Sequence, residues 1–153
     1  MNLRLPTVLP AALAVTLGLA GCGTAPLPPS PQSHLVALTT QMRGANEVPP
    51  VASLAHGQVD AVLDTRSNLL RWQVSFSGLS GPATAGHFHG PAPVGANAGV
   101  ALPFPGKPVS PMTGQATLNP AQVSDLLAGR WYANIHTAKF PGGEIRGQLV
   151  VRP

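Results

Sequence analysis

The chain has 153 residues, of which 44% are hydrophobic and only 9% are charged. Its positive residues are scattered along the sequence and form no cluster, which excludes the basic patch expected of a nucleic-acid-binding protein. The formal net charge of +4 is mild and favours a small anion as substrate. A single cysteine, Cys22, excludes a disulfide within the chain.

The first 21 residues have the pattern of a secretory signal peptide. Arg4 supplies a positive start, and the apolar run that follows from 5 to 20 is short for a membrane span. Leu19-Ala20-Gly21-Cys22 resembles a bacterial lipobox, in which the cysteine is lipidated and becomes the first mature residue. An ordinary signal peptide with an incidental Cys22 is the alternative. We expect an extracytoplasmic protein that lipid on Cys22 anchors to a bacterial membrane, in the periplasm or on the outer surface.

Residues 22–33 are rich in proline and serine, so we expect them to form an extended, semi-rigid tether after the lipid. Residues 34–153 are enough for one domain with a single hydrophobic core. The sequence therefore predicts three parts, which are a signal peptide (1–21), a lipidated tether (22–33) and one folded domain (34–153).

The folded part has a strand-like pattern broken by turns rich in proline and glycine. The alternation is clearest where Leu70, Trp72 and Val74 share one face of a half-buried strand with Phe76. The expected strands are 35–43, 58–63, 70–76, a segment around His87, 99–102, 114–118, 132–137 and 145–151.

One short helix is expected near 120–128. Asn119 has the character of an N-cap, Pro120 suits the first helical position, and Gln122 completes a capping box. Gly129 then ends the helix. Seven or eight short strands with one small helix indicate an all-β fold, a Greek-key β-sandwich.

Three of the five histidines lie within predicted strands, at positions whose side chains point away from the core face. His87 and His89 are two residues apart, so they point to the same face of a strand. His136 is expected on the opposite face from Ala133 and Ile135, outside the hydrophobic core. Three imidazoles favour copper or zinc over magnesium or calcium, which prefer oxygen ligands. The alternative is three polar surface residues without a metal.

The other two histidines are weaker candidates. His56 opens the second strand and is a possible fourth ligand, although a surface role beside a turn suits it better. His34 borders the tether and is expected to be exposed.

Three segments, in a consistent order, resemble the signatures of CHRD (chordin-type) domains. They are Gly44-Ala45-Asn46-Glu47-Val48-Pro49-Pro50, His87-Phe88-His89-Gly90-Pro91, and Asn134-Ile135-His136-Thr137 followed by Pro141-Gly142-Gly143-Glu144-Ile145-Arg146-Gly147-Gln148-Leu149. The resemblance covers about 35–151, which implies that 34–153 is a CHRD-like β-sandwich domain. This family occurs in many bacterial secreted proteins.

A second and more distant resemblance is to Cu/Zn superoxide dismutase. Residues 57–89 are similar to its early strands, with Gly78-Leu79-Ser80 placed before the His-x-His pair. The resemblance implies the same Greek-key sandwich and makes His87, His89 and His136 three copper ligands. Since no histidine lies between His89 and His136, the bridging and zinc histidines of that family are missing. The resemblance therefore implies one copper ion.

Two cations are candidates for guiding an anionic substrate to that ion, Lys139 and Arg146. The alternative for Lys139 is an ordinary solvated lysine. For Arg146, which lies inside the last strand, we favour the alternative of an ion pair with Glu144 or another carboxylate.

The dismutase resemblance implies a copper-dependent, superoxide dismutase-like enzyme that defends the cell envelope against oxidative stress. Its substrate would be superoxide or another small anion. The first alternative is a non-catalytic protein that binds or stores copper, and zinc is the alternative metal because three histidines also suit it. The second is a structural or interaction module that docks to a larger envelope complex, through the sandwich surface or the loop from 91 to 111.

Overall fold

The structure is a computed structural model that describes residues 34–153. The expected signal peptide (1–21) and the expected tether with lipidated Cys22 (22–33) lie outside the described residues. Within the described part, the chain forms antiparallel strands and one short helix.

Nine strands and one α-helix follow one another along residues 34–153. They are β1 (Leu35–Arg43), β2 (His56–Asp64), β3 (Leu69–Ser77), β4 (Ala83–His89), β5 (Val100–Pro103), β6 (Met112–Thr117), α1 (Pro120–Leu127), β7 (Tyr132–Thr137), β8 (Ile145–Gln148) and β9 (Val150–Val151). A short 3-10 turn at Gly44–Asn46 follows β1.

The strands form one hydrogen-bonded sheet in the order β5-β4-β7-β8-β1-β2-β3-β6, and β9 pairs with β1. The strands β3 and β4 are far apart in that order, yet the rings of Trp72 in β3 and Phe88 in β4 have centroids only 5.3 Å apart. The sheet therefore curls on itself. The curled sheet has two halves, β5-β4-β7-β8 and β1-β2-β3-β6. The connections from β3 to β4, from β5 to β6 and from β6 to β7 cross from one half to the other. The predicted all-β sandwich with Greek-key connections is confirmed.

The core lies between the two halves and follows the predicted alternation. Leu70, Trp72 and Val74 are buried on one face of β3, whereas Phe76 is only partly buried near the end of that strand. Burying such side chains contributes about 1.5–3 kcal/mol each relative to exposure. The apolar face of the sheet therefore supplies the main driving force for its closure.

The helix begins and ends as its sequence predicts. The Asn119 side chain accepts a hydrogen bond from the Gln122 backbone N–H at 2.9 Å, and the Gln122 side chain accepts one from the Asn119 backbone N–H at 3.0 Å. Gly129 follows the last turn with a φ of +68°, a conformation that glycine adopts without strain. No helix among the described residues has the length and apolar character needed to cross a membrane.

The last predicted strand, 145–151, is divided in the structure. Leu149 is fully buried between β8 and β9, and its backbone N–H donates to the Trp131 carbonyl at 2.9 Å. β8 pairs with β7 and, at Arg146, with Arg43 of β1, and after the break β9 pairs with β1 at Leu38 and Thr39. The single-strand prediction missed the break because Leu149, like Val150 and Val151 after it, is an apolar residue that suits a strand.

Candidate metal centre

The pairing of β4 with β7 places the three predicted histidines on one face of the sheet. His87 lies opposite Asn134, His89 lies opposite Tyr132, and His136 lies opposite Ala85. Phe88, between the two β4 histidines, is fully buried on the core side. The alternation that the sequence predicts for β4 is therefore present.

Glycine at position 86 allows β4 to approach the core closely. A Cβ atom on Gly86 would lie 2.6 Å from Phe104 Cδ2 and 2.9 Å from Ile135 Cδ1, which is closer than atoms can pack. The absence of a side chain therefore lets the strand that carries His87 and His89 lie flat on the aromatic core.

The three imidazoles converge within one cluster, which we call the histidine cluster (His87, His89 and His136). His87 Nδ1 lies 3.1 Å from His136 Nε2, and each residue offers a ring nitrogen within 4.8 Å of those of the other two. Among the described residues, these three form the one group of His, Cys, Asp or Glu side chains that could share an ion.

The face that carries the histidine cluster is covered, which corrects the expectation of a solvent-reached outer face. His89 and His136 are each only 9% exposed, and every residue of β7 is buried. The segment 90–99 lies over His89, and the turn between β7 and β8 lies over His136. His87 remains half-buried and gives the cluster its access to solvent. Strand phasing could not predict this, because the cover comes from loops.

Two backbone carbonyls fix the tautomers of the buried histidines. His89 Nδ1 lies 3.0 Å from the Ala98 carbonyl oxygen, and His136 Nδ1 lies 2.9 Å from the Pro141 carbonyl oxygen. A carbonyl oxygen only accepts, so each Nδ1 must carry the proton and donate it. In the neutral imidazole, Nε2 then holds the free lone pair that a metal needs.

Burial favours that neutral form. Desolvation lowers the pKa of His87 below its ordinary value, and the neighbouring His136 and His89 lower it further. Desolvation also lowers the pKa of His136, against the hydrogen bond to Pro141, which raises it. Both shifts favour the neutral imidazole, the form that a metal ligand must have.

The amide of Asn134 stands directly in front of both buried lone pairs. Its Oδ1 lies 2.9 Å from His136 Nε2 and 3.1 Å from His89 Nε2. Three atoms that can only accept thus face one another, and a proton on His87 Nδ1 or a positive ion among them would relieve their repulsion. The donor set, rich in imidazole, fits a transition-metal ion.

Arg146 is part of a stack behind the histidine cluster. The His89 ring lies parallel to the Tyr132 ring with centroids 4.8 Å apart, and Arg146 Cζ lies 3.4 Å from the Tyr132 centroid. One ring face has room for one partner, so His89 and Arg146 occupy opposite faces of Tyr132. Arg146 is 2% exposed, so it places a fixed positive charge behind His89.

The favoured interpretation of Arg146 is an ion pair with Glu144 or another carboxylate. Among the described residues Arg146 forms no ion pair with Glu144, although its charge acts on the carboxyl group of Glu47. Its guanidinium donates to Asn97 Oδ1 at 2.9 Å and to the Ala96 carbonyl at 2.5 Å. The Glu144 carboxylate instead accepts from three hydroxyl groups and one backbone N–H. These donors belong to Ser53, Ser80 and Thr137.

Lys139 and His56 are both exposed, and neither belongs to the histidine cluster. Lys139 is exposed in the turn after β7, and its Nζ lies 5.3 Å from the centroid of Phe140. His56 is exposed at the start of β2, and its Nε2 lies 3.0 Å from Ser77 Oγ. The weaker prediction of His56 as a fourth ligand finds no support in this geometry.

Two residues near the histidine cluster have features that sequence reasoning missed. Asn134 shares the face of His136, but an asparagine in a strand gave no signal of its own. Glu47 is 6% exposed, and burial raises its pKa to about 7 although the charge of Arg146 lowers it. Glu47 lies in a loop, so no periodicity could have placed it beside β7.

The comparison with protein families finds one match, to the CHRD domain, over residues 38–149. This range runs from β1 to Leu149 and includes all three histidines. The comparisons with curated proteins and with solved structures found no match. The resemblance to Cu/Zn superoxide dismutase stays a prediction.

Proposed function

We propose that this chain, which belongs to the CHRD domain family, is a lipid-anchored copper protein of the bacterial cell envelope. It holds one copper ion with His87, His89 and His136, and it removes superoxide. The lipid on Cys22 and the tether at 22–33 would place the domain at the membrane surface. Superoxide, or another small anion, is the substrate.

One observation carries the proposal. Two backbone carbonyls orient His89 and His136 so that the Nε2 atoms of both rings point into the histidine cluster. Ala98 and Pro141 accept hydrogen bonds from Nδ1 of His89 and His136, so the neutral imidazoles direct their Nε2 lone pairs into the cluster. Metal-binding histidines in proteins are typically oriented by such an outer acceptor. Lone pairs that converge in this way suit a shared metal ion.

Copper is favoured over other ions by the chemistry of the donors. Imidazole suits copper and zinc, and a given site usually binds copper more tightly than zinc. The cluster contains no carboxylate, which magnesium and calcium require. The resemblance to the dismutase strands supports copper independently of these arguments.

Copper bound there would supply one-electron chemistry, because it can take an electron from one superoxide and give it to the next. The chain's own residues supply the orientation and the charge. Arg146 fixes a positive charge behind Tyr132 and His89, and Lys139 adds an exposed positive charge in the turn that contains Pro141. Positive charge near the cluster raises the rate of encounter with an anion.

Copper binding is tested by chelator competition with the metal-free protein. The His136→Ala variant should bind Cu²⁺ at least about tenfold more weakly than the wild type. His56→Ala is the matched control, since it removes an exposed histidine outside the histidine cluster, and its affinity should equal that of the wild type. Equal affinities for all three proteins would contradict the proposed site.

Dismutation is tested with a xanthine oxidase source of superoxide. The copper-loaded wild type should remove superoxide faster than the same concentration of free copper and faster than His136→Ala. Activity at or below either reference would remove catalysis from the proposal and leave copper binding in place.

The cover over the histidine cluster favours a second candidate, a non-catalytic protein that binds or stores copper. His89 and His136 are each 9% exposed, so an anion could approach the ion only from the side of His87. Tight copper binding without dismutation would select this candidate. A folded protein that binds no copper would instead favour an interaction module of the cell envelope.

A further inference from the structure

Asn134 occupies the place where a fourth ligand to the same ion would stand. It lies on β7 opposite His87, two residues before His136, and it is 2% exposed. Its Oδ1 is within 3.1 Å of the Nε2 atoms of both His89 and His136. The amide is therefore enclosed within the histidine cluster rather than beside it.

The amide of Asn134 presents its two ends to different neighbours. Its Oδ1 faces the Nε2 atoms of His89 and His136. Its Nδ2 lies on the side of Gly143, where an added Cβ would be 2.9 Å from Nδ2 and would overlap Glu47 Oε1. The absence of a side chain at Gly143 therefore leaves room for the amide in this orientation.

The spacing of the four atoms is that of neighbouring ligands. Two donors that are each about 2.05 Å from an ion lie about 2.9 Å apart at a right angle and about 3.3 Å apart at the tetrahedral angle. The observed separations are 2.9 Å and 3.1 Å from Asn134 Oδ1 to the two Nε2 atoms, and 3.1 Å from His87 Nδ1 to His136 Nε2.

We infer that Asn134 Oδ1 is the fourth donor of the site, which then offers three imidazole nitrogens and one amide oxygen to the ion. This inference rests on the proposed copper binding. A neutral oxygen is a harder donor than imidazole, so it stabilises Cu²⁺ more than the softer Cu⁺. Asn134 is thus expected to set the preference of the site for the oxidised ion.

The test compares Asn134→Asp with Gln73→Glu by electron paramagnetic resonance of the Cu²⁺-loaded proteins. Asn134→Asp keeps the shape of the side chain and converts the oxygen donor to an anion, so the g∥ and A∥ values should shift and the affinity for Cu²⁺ should rise. Gln73→Glu makes the same change from amide to carboxylate at an exposed position of β3, which is far from β4 and β7 in the strand order. Its spectrum should coincide with that of the wild type.

Asn134→Ala provides a second readout, the affinities for Cu²⁺ and Cu⁺ measured separately. The Cu²⁺ affinity should fall at least about tenfold, with little change for Cu⁺. An Asn134→Asp spectrum identical to that of the wild type, or an equal loss of both affinities in Asn134→Ala, would overturn the inference and leave the copper site standing. A wild type that binds no copper would overturn both.

Discussion

Two buried glutamates near the histidine cluster have opposite electrostatic environments. Glu47 is 6% exposed, and its Oε1 has no partner among the described residues, so burial raises its pKa to about 7. Glu144 is 1% exposed, and although burial acts against its charge, hydrogen bonds from Ser80, Thr137 and Ser53 hold its pKa below the ordinary value. The same residue type therefore has two roles, decided by the available donors.

The two glutamates should give opposite pH dependences of stability. The Glu47 pKa is higher in the folded than in the unfolded state, so its contribution to stability is full below pH 4.5 and is lost as the pH rises through about 7. The free energy of unfolding of Glu47→Gln relative to that of the wild type should therefore increase from pH 5 to pH 8, by on the order of 1–3 kcal/mol. The measurement is urea unfolding of the metal-free protein at both pH values.

Glu144→Gln is the matched comparison for that experiment. Because the folded-state pKa of Glu144 is lowered, its contribution is present above its unfolded pKa and is lost as the pH falls through the folded one. This variant should lose more stability relative to the wild type at pH 8 than at pH 4. The assignment of the two environments would be wrong if both variants changed with pH in the same direction.

At the residue scale, the sequence predicted the histidine cluster but not the hydrogen-bond partners of its members. The His-x-His spacing and the phase of His136 are local properties of strands, and they were sufficient to bring three imidazoles together. Every residue has a backbone carbonyl group, so nothing in the sequence marks those of Ala98 and Pro141 as the acceptors. The same holds for Arg146, whose partners Asn97 and Ala96 come from a loop.

At the scale of elements, the β4–β7 pair depends on a close fit between β4 and the core. The Gly86→Ala variant should be destabilised by about 1–3 kcal/mol, because its Cβ would lie 2.6 Å from Phe104 Cδ2. Gly81→Ala is the control, since an added Cβ there meets no atom within 4 Å. Urea unfolding compares the two, and equal midpoints would show that β4 does not need this close approach.

The covering segment 90–99 depends on Arg146 for its position. Arg146 donates to Asn97 and to the Ala96 carbonyl, and hydrogen bonds from a charged donor contribute about 1.5–3 kcal/mol each. Arg146→Met should make the Ala98 amide, which donates to the Tyr132 hydroxyl at 3.2 Å, exchange with solvent at least about tenfold faster.

Hydrogen exchange measured by mass spectrometry or NMR checks this prediction. Arg152→Met is the control, because Arg152 forms its ion pair with Asp60 on the exposed surface of the sheet. Unchanged exchange in Arg146→Met would mean that the segment is held by its own backbone hydrogen bonds, such as the one from Gly90 N–H to the Gly99 carbonyl.

At the scale of elements, local signals predicted the bounds of the strands and of the helix well. The capping box at Asn119 and Gln122 and the alternation in 70–76 depend on neighbouring residues only, so they could be derived from sequence. The break at Leu149 depends on Trp131, which is distant in the sequence and adjacent in space. Contacts of that kind have no periodic signature.

At the scale of the whole molecule, the curled sheet creates one core and one covered polar face. The order β5-β4-β7-β8-β1-β2-β3-β6 puts β3 and β4 at distant positions, and the closure through Trp72 and Phe88 joins them across the core. The histidine cluster lies on the other face of β4 and β7, so a bound ion would be separated from the core by one layer of backbone. The CHRD match over residues 38–149 covers this whole arrangement.

The most direct test of the account is the copper content of the purified protein. The wild type, the His87→Ala/His89→Ala double variant and the His34→Ala/His56→Ala control are produced with copper in the medium and purified without chelator. Elemental analysis should find about one copper ion per chain in the wild type and the control, and almost none in the His87/His89 variant. A folded wild type without copper, or equal copper in all three proteins, would contradict the account.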